Sequence, residues 1–508
     1  MATVLNYSLF GFSFSLKKGL LSLFLFSLSY GFCAQDHSQE LLESLLAIDL
    51  PLIVVETENS QDPTGDLVVA PPGCAGASVI NNNYVNGRLC IIQRGDTLYD
   101  SGEYKKDRTG MSIKIRGNMS SYRDLTRASY KLRLQRKAGL FDKESGSLSN
   151  EWYGDDFILI NYTSSNDFRN HVGRHVAKVV GFPWEPASRY VNLFMNGEFR
   201  GLYILSEPVD RREDHVDVSV DGFILEDDAY WWSAEGHVIH TSKLATPMAY
   251  TFKYPDDKDI SEGYVEAVKN YMEEVETAIY GGQDLSGVID LQSFVDWLFA
   301  HDVLGTWDAL GANIFLFKKD WAPQSLLQMG PLWDFDSAFN VENVWCTMHN
   351  RSDGAFYYNE LLKREDFVAM YQKRWDEVGA SLYDEAMKIA DSLLVNHGEA
   401  INASRALAAK VRGDETYKSA EENHAQVEEW FRVRIPWMAE AVKKIRFPSS
   451  VHIYDMKGTL VDVKDVINGS DDDMLTDYIR QVYILRFMDQ YGKLLRVEKR
   501  MDLREEEE

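Results

Sequence analysis

Two oxygen-rich stretches in the second half of the chain carry residue types suited to phosphoryl transfer. The first contains Asp308 and, five positions later, Asn313, and the second is the segment WDFD at 333–336, which contributes Asp334 and Asp336. Phosphoryl transfer needs a carboxylate that orients the attacking hydroxyl and oxygen ligands that hold Mg²⁺ against the phosphates. In protein kinases an Asp, an Asn five residues later and a further Asp after a β-hairpin supply these groups.

Each stretch also has a purely structural interpretation. Asp308 alone is compatible with a loop or capping residue, and WDFD alone with a strand end that exposes alternate acids. A helix is predicted at 291–304, directly before the first stretch, and a hairpin is predicted at 313–333, between the two. The combination of both stretches in this order favours a catalytic function.

The elements that would position these residues are segregated along the chain. Period-two alternation predicts strands from Ser112 and from Ser129, and the Asn196-Gly197 pair predicts a two-residue hairpin turn. Beyond residue 261 the apolar residues recur at helical spacing, over 261–280, 291–304, 360–412 and 418–446. A mainly β part followed by a mainly helical part predicts an α+β fold.

Several motifs, in this order along the chain, resemble the CotH kinase family of atypical, secreted or coat-associated kinases. They are IRGN (115–118), SYKL (129–132), LINY (159–162) with RN (169–170), NGEFRGLYILSE (196–207), GFILE (222–226) and WDFD (333–336). The resemblance implies a reduced, bilobal protein-kinase-like fold with a mainly β N-lobe (111–260) and a mainly helical C-lobe (261–447). It also implies ATP and Mg²⁺, or Mn²⁺, as cofactors.

The resemblance further implies a role for each matching residue. Asp308 would be the catalytic aspartate, Asn313 and Asp334 metal ligands, and Asp336 a further ligand or an orienting group. The predicted nucleotide-binding residues are Lys131 paired with Glu207, Arg116 facing phosphate, and Glu226 near the adenine. The chain departs from the family in having Thr306 where an Asn is usual, two residues before Asp308, and Arg127-Ala128 in place of a lysine-rich approach to Lys131.

The N-terminus has the pattern of a secretory signal. Lys17 and Lys18 precede an apolar run at 20–28, and cleavage is expected after Cys33 or Ala34. A lipoprotein anchor at Cys33 is disfavoured by the bulky residue before it. No other segment is apolar enough to span a bilayer, so residues 1–34 are predicted to be a signal peptide and the mature protein to be secreted. Residues 35–110 form an acidic, β-rich segment and 448–508 an appendage with an acidic tail.

The net charge and the cysteines bear on the possible partners and on disulfide formation. With 79 acidic and 53 basic side chains the formal net charge is -26, which argues against nucleic acid as a partner. In an oxidising compartment Cys74 and Cys90 are predicted to form a disulfide, leaving Cys346 over.

The leading hypothesis is transfer of the γ-phosphate of ATP to Ser or Thr hydroxyls of an exported protein. One alternative is a non-catalytic surface or coat protein that keeps the fold for binding. Another is a glycoside hydrolase that uses a pair of facing carboxylates.

Overall fold

The computed structural model describes most of the chain. The described residues are 35–74, 76–118, 121–122, 124–141, 153–161, 167–182, 184, 186–212, 215–234, 236–241, 248–306, 309, 313–340, 356–413, 417–466, 474–475 and 481–501. The predicted signal segment, Asp308 and Cys346 lie outside them.

The described residues form nineteen strands and eight α-helices. The strands are β1 Leu52–Thr57, β2 Asp66–Val69, β3 Ala77–Ile80, β4 Val85–Gln93, β5 Asp96–Asp100, β6 Met111–Arg116, β7 Ser129–Ala138, β8 Gly154–Ile160, β9 Ser188–Met195, β10 Glu198–Ser206, β11 Phe223–Asp227, β12 Val238–His240, β13 Ala249–Tyr254, β14 Ile314–Lys318, β15 Gln328–Met329, β16 Pro448–Tyr454, β17 Leu460–Asp465, β18 Val482–Asp489 and β19 Leu494–Met501. The helices are α1 Gln35–Ala47, α2 Arg169–Val180, α3 Glu262–Tyr280, α4 Leu291–Leu304, α5 Tyr358–Leu361, α6 Glu365–Val378, α7 Leu382–Arg412 and α8 Ala420–Lys443.

Seven of the first ten strands close into a barrel. Around the barrel the hydrogen-bonded order is β1, β9, β10, β8, β7, β6, β4 and back to β1. Only the β1–β9 pair is parallel, and β5 extends the sheet outward from β4. Every strand of the ring sends alternate side chains into one buried apolar cluster, as Ile53, Leu89, Ile113, Leu132 and Phe157 illustrate.

Part of the outer face of this barrel is also buried. Leu42 and Leu45 of α1 pack against Leu52, Cys90 and Phe194 of the barrel strands. Alternation along the strands explains why one set of side chains fills the interior and the next set meets α1.

Two further sheets follow. The first has the order β12-β13-β11-β14-β15 and is antiparallel throughout. The second, at the C-terminal end, has the order β17-β16-β18-β19 and buries Val451, Ile453, Leu485 and Phe487 on one face.

The chain divides into two compact units. The first contains the residues up to Asp167, with Pro186–Pro208 and Ser392–Asn423, and includes the barrel. The second contains Phe168–Glu185, Val209–Asp391 and His424–Glu508. The mixed α+β architecture is confirmed, whereas the kinase-like bilobal arrangement stays a prediction. Within the part of the chain that the structure describes, no helix is both long and apolar enough to cross a bilayer.

The predicted disulfide between Cys74 and Cys90 is wrong, because both cysteines are free thiols. Cys90 lies inside β4, and its side chain is buried against α1. Cys74 lies instead in the turn between β2 and β3, where its amide donates to the Pro71 carbonyl over 3.0 Å. Burial raises the pKa of Cys90 to about 12.

Candidate active site

Helix α4 directly precedes the first oxygen-rich stretch. Asp290 caps its N-terminus by accepting a hydrogen bond from the Ser293 amide. The helix ends at Gly305, which has a φ of 68° and donates its amide to the His301 carbonyl. A Cβ at Gly305 would lie 2.5 Å from the Trp430 ring, so glycine is required by both the backbone conformation and the packing. Asp308, three residues further on, lies outside the described residues.

A buried histidine fixes the start of this loop. Nδ1 of His301 and the hydroxyl of Thr306 form a hydrogen bond, and both residues are 1% exposed. The His301 ring also packs against Trp297, with ring centroids 4.2 Å apart. Burial lowers the pKa of His301 to about 3, so the imidazole is neutral at physiological pH. Thr306 therefore takes part in a defined contact at the position where the family usually has Asn.

His301 was not singled out from the sequence. The available signal was a histidine within an otherwise mainly apolar helix, five residues before Thr306. That pattern predicts that the histidine is buried, but it does not indicate which hydroxyl the ring contacts.

The predicted hairpin between the two stretches is present. Leu316 pairs with Met329 and Phe317 with Gln328, in antiparallel register. The Gly330 amide continues the ladder by donating to the Phe315 carbonyl over 2.8 Å. Because antiparallel strands begin and end at opposite ends of a hairpin, Asn313 and the segment that leads to Asp334 emerge at the same end.

Asn313 and Asp334 share an uncommon backbone conformation. Their φ values are 62° and 58°, in the left-handed region. Asn and Asp enter this region more readily than other residues with a Cβ, yet the conformation still costs about 1 kcal/mol or more. Such strain persists where the surrounding structure enforces it, in turns such as the one at Asn196 as well as at functional sites.

The donor atoms fit a hard cation. Asn313, Asp334 and Asp336 are each half-buried, and together they offer one amide and two carboxylate groups, the oxygen ligands that Mg²⁺ prefers. Among the described residues, no three His, Cys, Asp or Glu side chains are grouped so that they could hold a metal ion. Asn313 is not one of these residue types and Asp308 is not described, so the metal assignment stays a prediction.

Glu226 lies in a cluster of acids at the end of β11. It pairs in register with Phe315 of β14 and forms an ion pair with Lys253, Oε2 to Nζ 2.5 Å. The next residue, Asp227, is 8% exposed. Burial, together with the charges of Asp228, Glu226 and Glu276, raises the pKa of Asp227 to about 8. Asp227 is therefore not a solvated turn residue.

The predicted pairing of Lys131 with Glu207 is wrong. Nζ of Lys131 lies 2.9 Å from Oδ2 of Asp156. Glu207 is fully buried, and its Oε2 accepts a hydrogen bond from the Ala187 amide over 2.9 Å.

The register of the strands explains why Lys131 does not pair with Glu207. Lys131 lies opposite Ile158, and Ile158 lies opposite Ser206. Ser206 thus shares the sheet face of Lys131, and alternation turns Glu207, the next residue, away from it. A sequence motif does not reveal whether two residues share a sheet face, because that depends on the register of two strand pairs.

Arg116 is the last residue of β6, where it pairs in register with Ser129. Its side chain is half-buried, and its carbonyl accepts a hydrogen bond from the Ser121 hydroxyl over 2.6 Å. Lys131 and Arg116 both belong to the first compact unit. Their predicted contact with nucleotide stays a prediction.

Comparison with known proteins gives one family match. A family model described as CotH kinase protein matches residues 113–438, more than half of the chain. The match includes every residue predicted here to act in catalysis or in metal or nucleotide binding. No curated protein matches the chain significantly.

Proposed function

Because the chain belongs to the CotH kinase protein family, we propose that it is an atypical kinase that transfers the γ-phosphate of ATP to Ser or Thr hydroxyls of an exported protein. The observation that carries the proposal is the hairpin of β14 and β15. Its strand pairing supports the proposal because Asn313 and the segment that leads to Asp334 emerge at the same end, and both residues have a left-handed backbone.

Each oxygen-bearing residue has a distinct task in this proposal. Asp308 orients the substrate hydroxyl and accepts its proton, a role that rests on its spacing from Asn313. Asn313 and Asp334 hold Mg²⁺ or Mn²⁺, and Asp336 assists as a ligand or by orienting Asp334. The bound ion neutralises charge on the phosphates of ATP.

The nucleotide contacts are proposed with one revision. Arg116 and Lys131 are candidates for phosphate, and Glu226 for the adenine end. Phosphate would compete with Asp156 for Lys131. Glu207 is not proposed as the partner of Lys131, since its carboxylate is bonded to the Ala187 amide.

We also propose that the protein is exported. The support is the secretory pattern of residues 1–34, with its basic start and short apolar run. N-terminal sequencing of the protein from its natural source tests this: a mature chain beginning near residue 34 or 35 is expected, and one that keeps residues 1–34 would contradict export by this signal.

The catalytic proposal is tested with γ-labelled ATP and either Mg²⁺ or Mn²⁺. Wild-type protein is compared with Asp308→Asn, Asp334→Asn and Asp320→Asn. Asp320 is the control because it lies at the opposite end of the same hairpin, where it accepts a hydrogen bond from the Ala322 amide. Label transfer to protein is expected for wild type and Asp320→Asn, with a loss of at least a hundredfold in the other two variants.

Equal labelling by all four proteins would remove Asp308 and Asp334 from the mechanism. No labelling by any of them, with casein, histone or the protein itself as acceptor, together with no binding of ATP, would favour the non-catalytic binding protein.

A further inference from the structure

Helix α2 holds the backbone on the C-terminal side of Asp334. Oδ1 of Asn170 accepts a hydrogen bond from the Phe335 amide over 3.2 Å, and Nη1 of Arg169 donates to the Asp336 carbonyl over 2.5 Å. Asn170 is 2% exposed and Arg169 is 8% exposed. Two successive residues of the helix therefore bind the two residues that follow Asp334.

The Phe335 ring is wedged between two elements. On one side is Gly173 of α2, where an added Cβ would lie 2.4 Å from Cγ of Phe335. On another side is His301 of α4, with ring centroids 6.2 Å apart. Phe335 is fully buried, so its ring cannot shift without disturbing α2 or the histidine that bonds Thr306.

The residue before Asp334 is held as well. The Trp333 ring lies 5.5 Å from the guanidinium of Arg174 and is stacked on Trp184, with centroids 6.5 Å apart and an angle of 9°. Asp334 is thus anchored through both neighbours, and its own side chain is half-buried.

Arg169 is a costly residue for a merely structural contact. Its Nε is buried and makes no hydrogen bond to any described residue. A buried cation with an unsatisfied donor destabilises the fold unless another interaction offsets that cost. The charge of Asp336, a residue of the proposed metal site, acts on this guanidinium.

We propose that Arg169 and Asn170 are positioning residues that hold Asp334 in its left-handed conformation and so set the affinity of the site for a divalent cation. This inference rests on the proposed function, because it concerns the same carboxylates. Without the two hydrogen bonds the segment can relax toward ordinary backbone conformations, and the Asp334 carboxylate then turns away from its ligand position.

The test is calorimetric titration of Mn²⁺ into the full mature chain, paired with the Mg²⁺ dependence of label transfer. The variants are Arg169→Gln, Asn170→Leu, Asn170→Asp and Gly173→Ala. Asn170→Leu removes the acceptor while keeping a branched side chain of four heavy atoms, whereas Asn170→Asp keeps the acceptor. Lys178→Gln is the matched control, since Lys178 is an exposed cation on the same helix. Melting temperatures identify any variant that fails to fold.

We expect Arg169→Gln, Asn170→Leu and Gly173→Ala to bind Mn²⁺ about tenfold or more weakly. The Mg²⁺ concentration for half-maximal transfer should rise by a similar factor, while kcat at saturating Mg²⁺ falls less. Asn170→Asp should recover most of the affinity, and Lys178→Gln should match wild type.

Two results would overturn the inference, and they differ in whether the proposed metal site survives. If Asp334→Asn abolishes Mn²⁺ binding but folded Arg169→Gln and Asn170→Leu bind it like wild type, the positioning role fails and the metal site survives. If wild type itself binds no Mn²⁺, with or without ATP, the proposed metal site fails and the positioning role with it.

Discussion

Replacing Asp227 by Asn should stabilise the protein, by an amount that grows with pH. Asp227 is buried at the end of β11, and burial followed by the charges of Asp228, Glu226 and Glu276 raises its pKa from 3.8 to about 8. The folded protein therefore keeps a proton on Asp227 at pH values where the unfolded chain has lost it. Asn mimics the protonated carboxyl and does not titrate.

The sign follows from proton linkage. Between pH 3.8 and about 8 the folded state binds one more proton at Asp227 than the unfolded state, so the free energy of unfolding falls as pH rises, by about 1.4 kcal/mol per pH unit. Over that whole interval the loss is about 6 kcal/mol, and between pH 5 and pH 7 it is about 3 kcal/mol. Above pH 8 both states are ionised and the slope disappears.

The assay is urea unfolding of wild type and Asp227→Asn at half-unit steps from pH 5 to pH 9. All other titrating groups are common to both proteins, so the difference between their unfolding free energies isolates Asp227. Asp221→Asn, an exposed residue two positions before the same strand, controls for a surface amide substitution. The advantage of Asp227→Asn should grow up to about pH 8 and then level off. A constant difference, or a variant less stable than wild type at pH 8, would show that Asp227 is ionised and stabilised in the folded state.

Three further substitutions or treatments test the packing. Gly305→Ala should lower the free energy of unfolding by about 2–4 kcal/mol, because alanine is strained in the left-handed conformation and its Cβ would lie 2.5 Å from the Trp430 ring. A melting temperature within one degree of wild type would contradict this. Gly263→Ala should instead raise stability by about 0.5–1 kcal/mol, since this position in α3 has no atom within 4 Å of the new methyl group and alanine favours the helix; a lower melting temperature would show an unrecognised conflict. Cys90 should not react with a thiol reagent at pH 8 in the folded protein, because it is 2% exposed and its pKa is about 12; labelling of the native chain at Cys90, mapped by mass spectrometry, would refute that environment.

Local elements were well predicted from the sequence where capping and turn residues specify them. Helix α4 matches its predicted bounds, 291–304, because Asp290 caps its start and Gly305 ends it. The Asn196-Gly197 turn joins β9 and β10 as expected, with φ values of 52° and 86°. The hairpin of β14 and β15 was also predicted, and it is the element on which the candidate site depends.

Long-range pairing was not predictable in the same way. The barrel closes because β1 pairs with both β4 and β9, and alternation along β1 says nothing about which strands will meet its edges. The partner of Lys131 depended on the register across β8, so a pairing inferred from motifs alone was wrong. Periodicity specifies the buried face of an element, while its neighbours follow from the packing of the whole unit.

The same limit explains why the residues proposed to support the candidate site are less visible in the sequence than its proposed ligands. Asn313 and Asp334 could be proposed from chemistry, because phosphoryl transfer requires oxygen donors in a known order. Arg169 and Asn170 matched a family motif, but their role becomes visible only when α2 meets the amide of Phe335 and the carbonyl of Asp336. A residue that binds backbone atoms leaves no signature in the sequence of its partner, since every residue has a carbonyl and nearly every one an amide. The chemistry of a site can therefore be inferred from residue types, but the groups that contact its backbone have to be read from the fold.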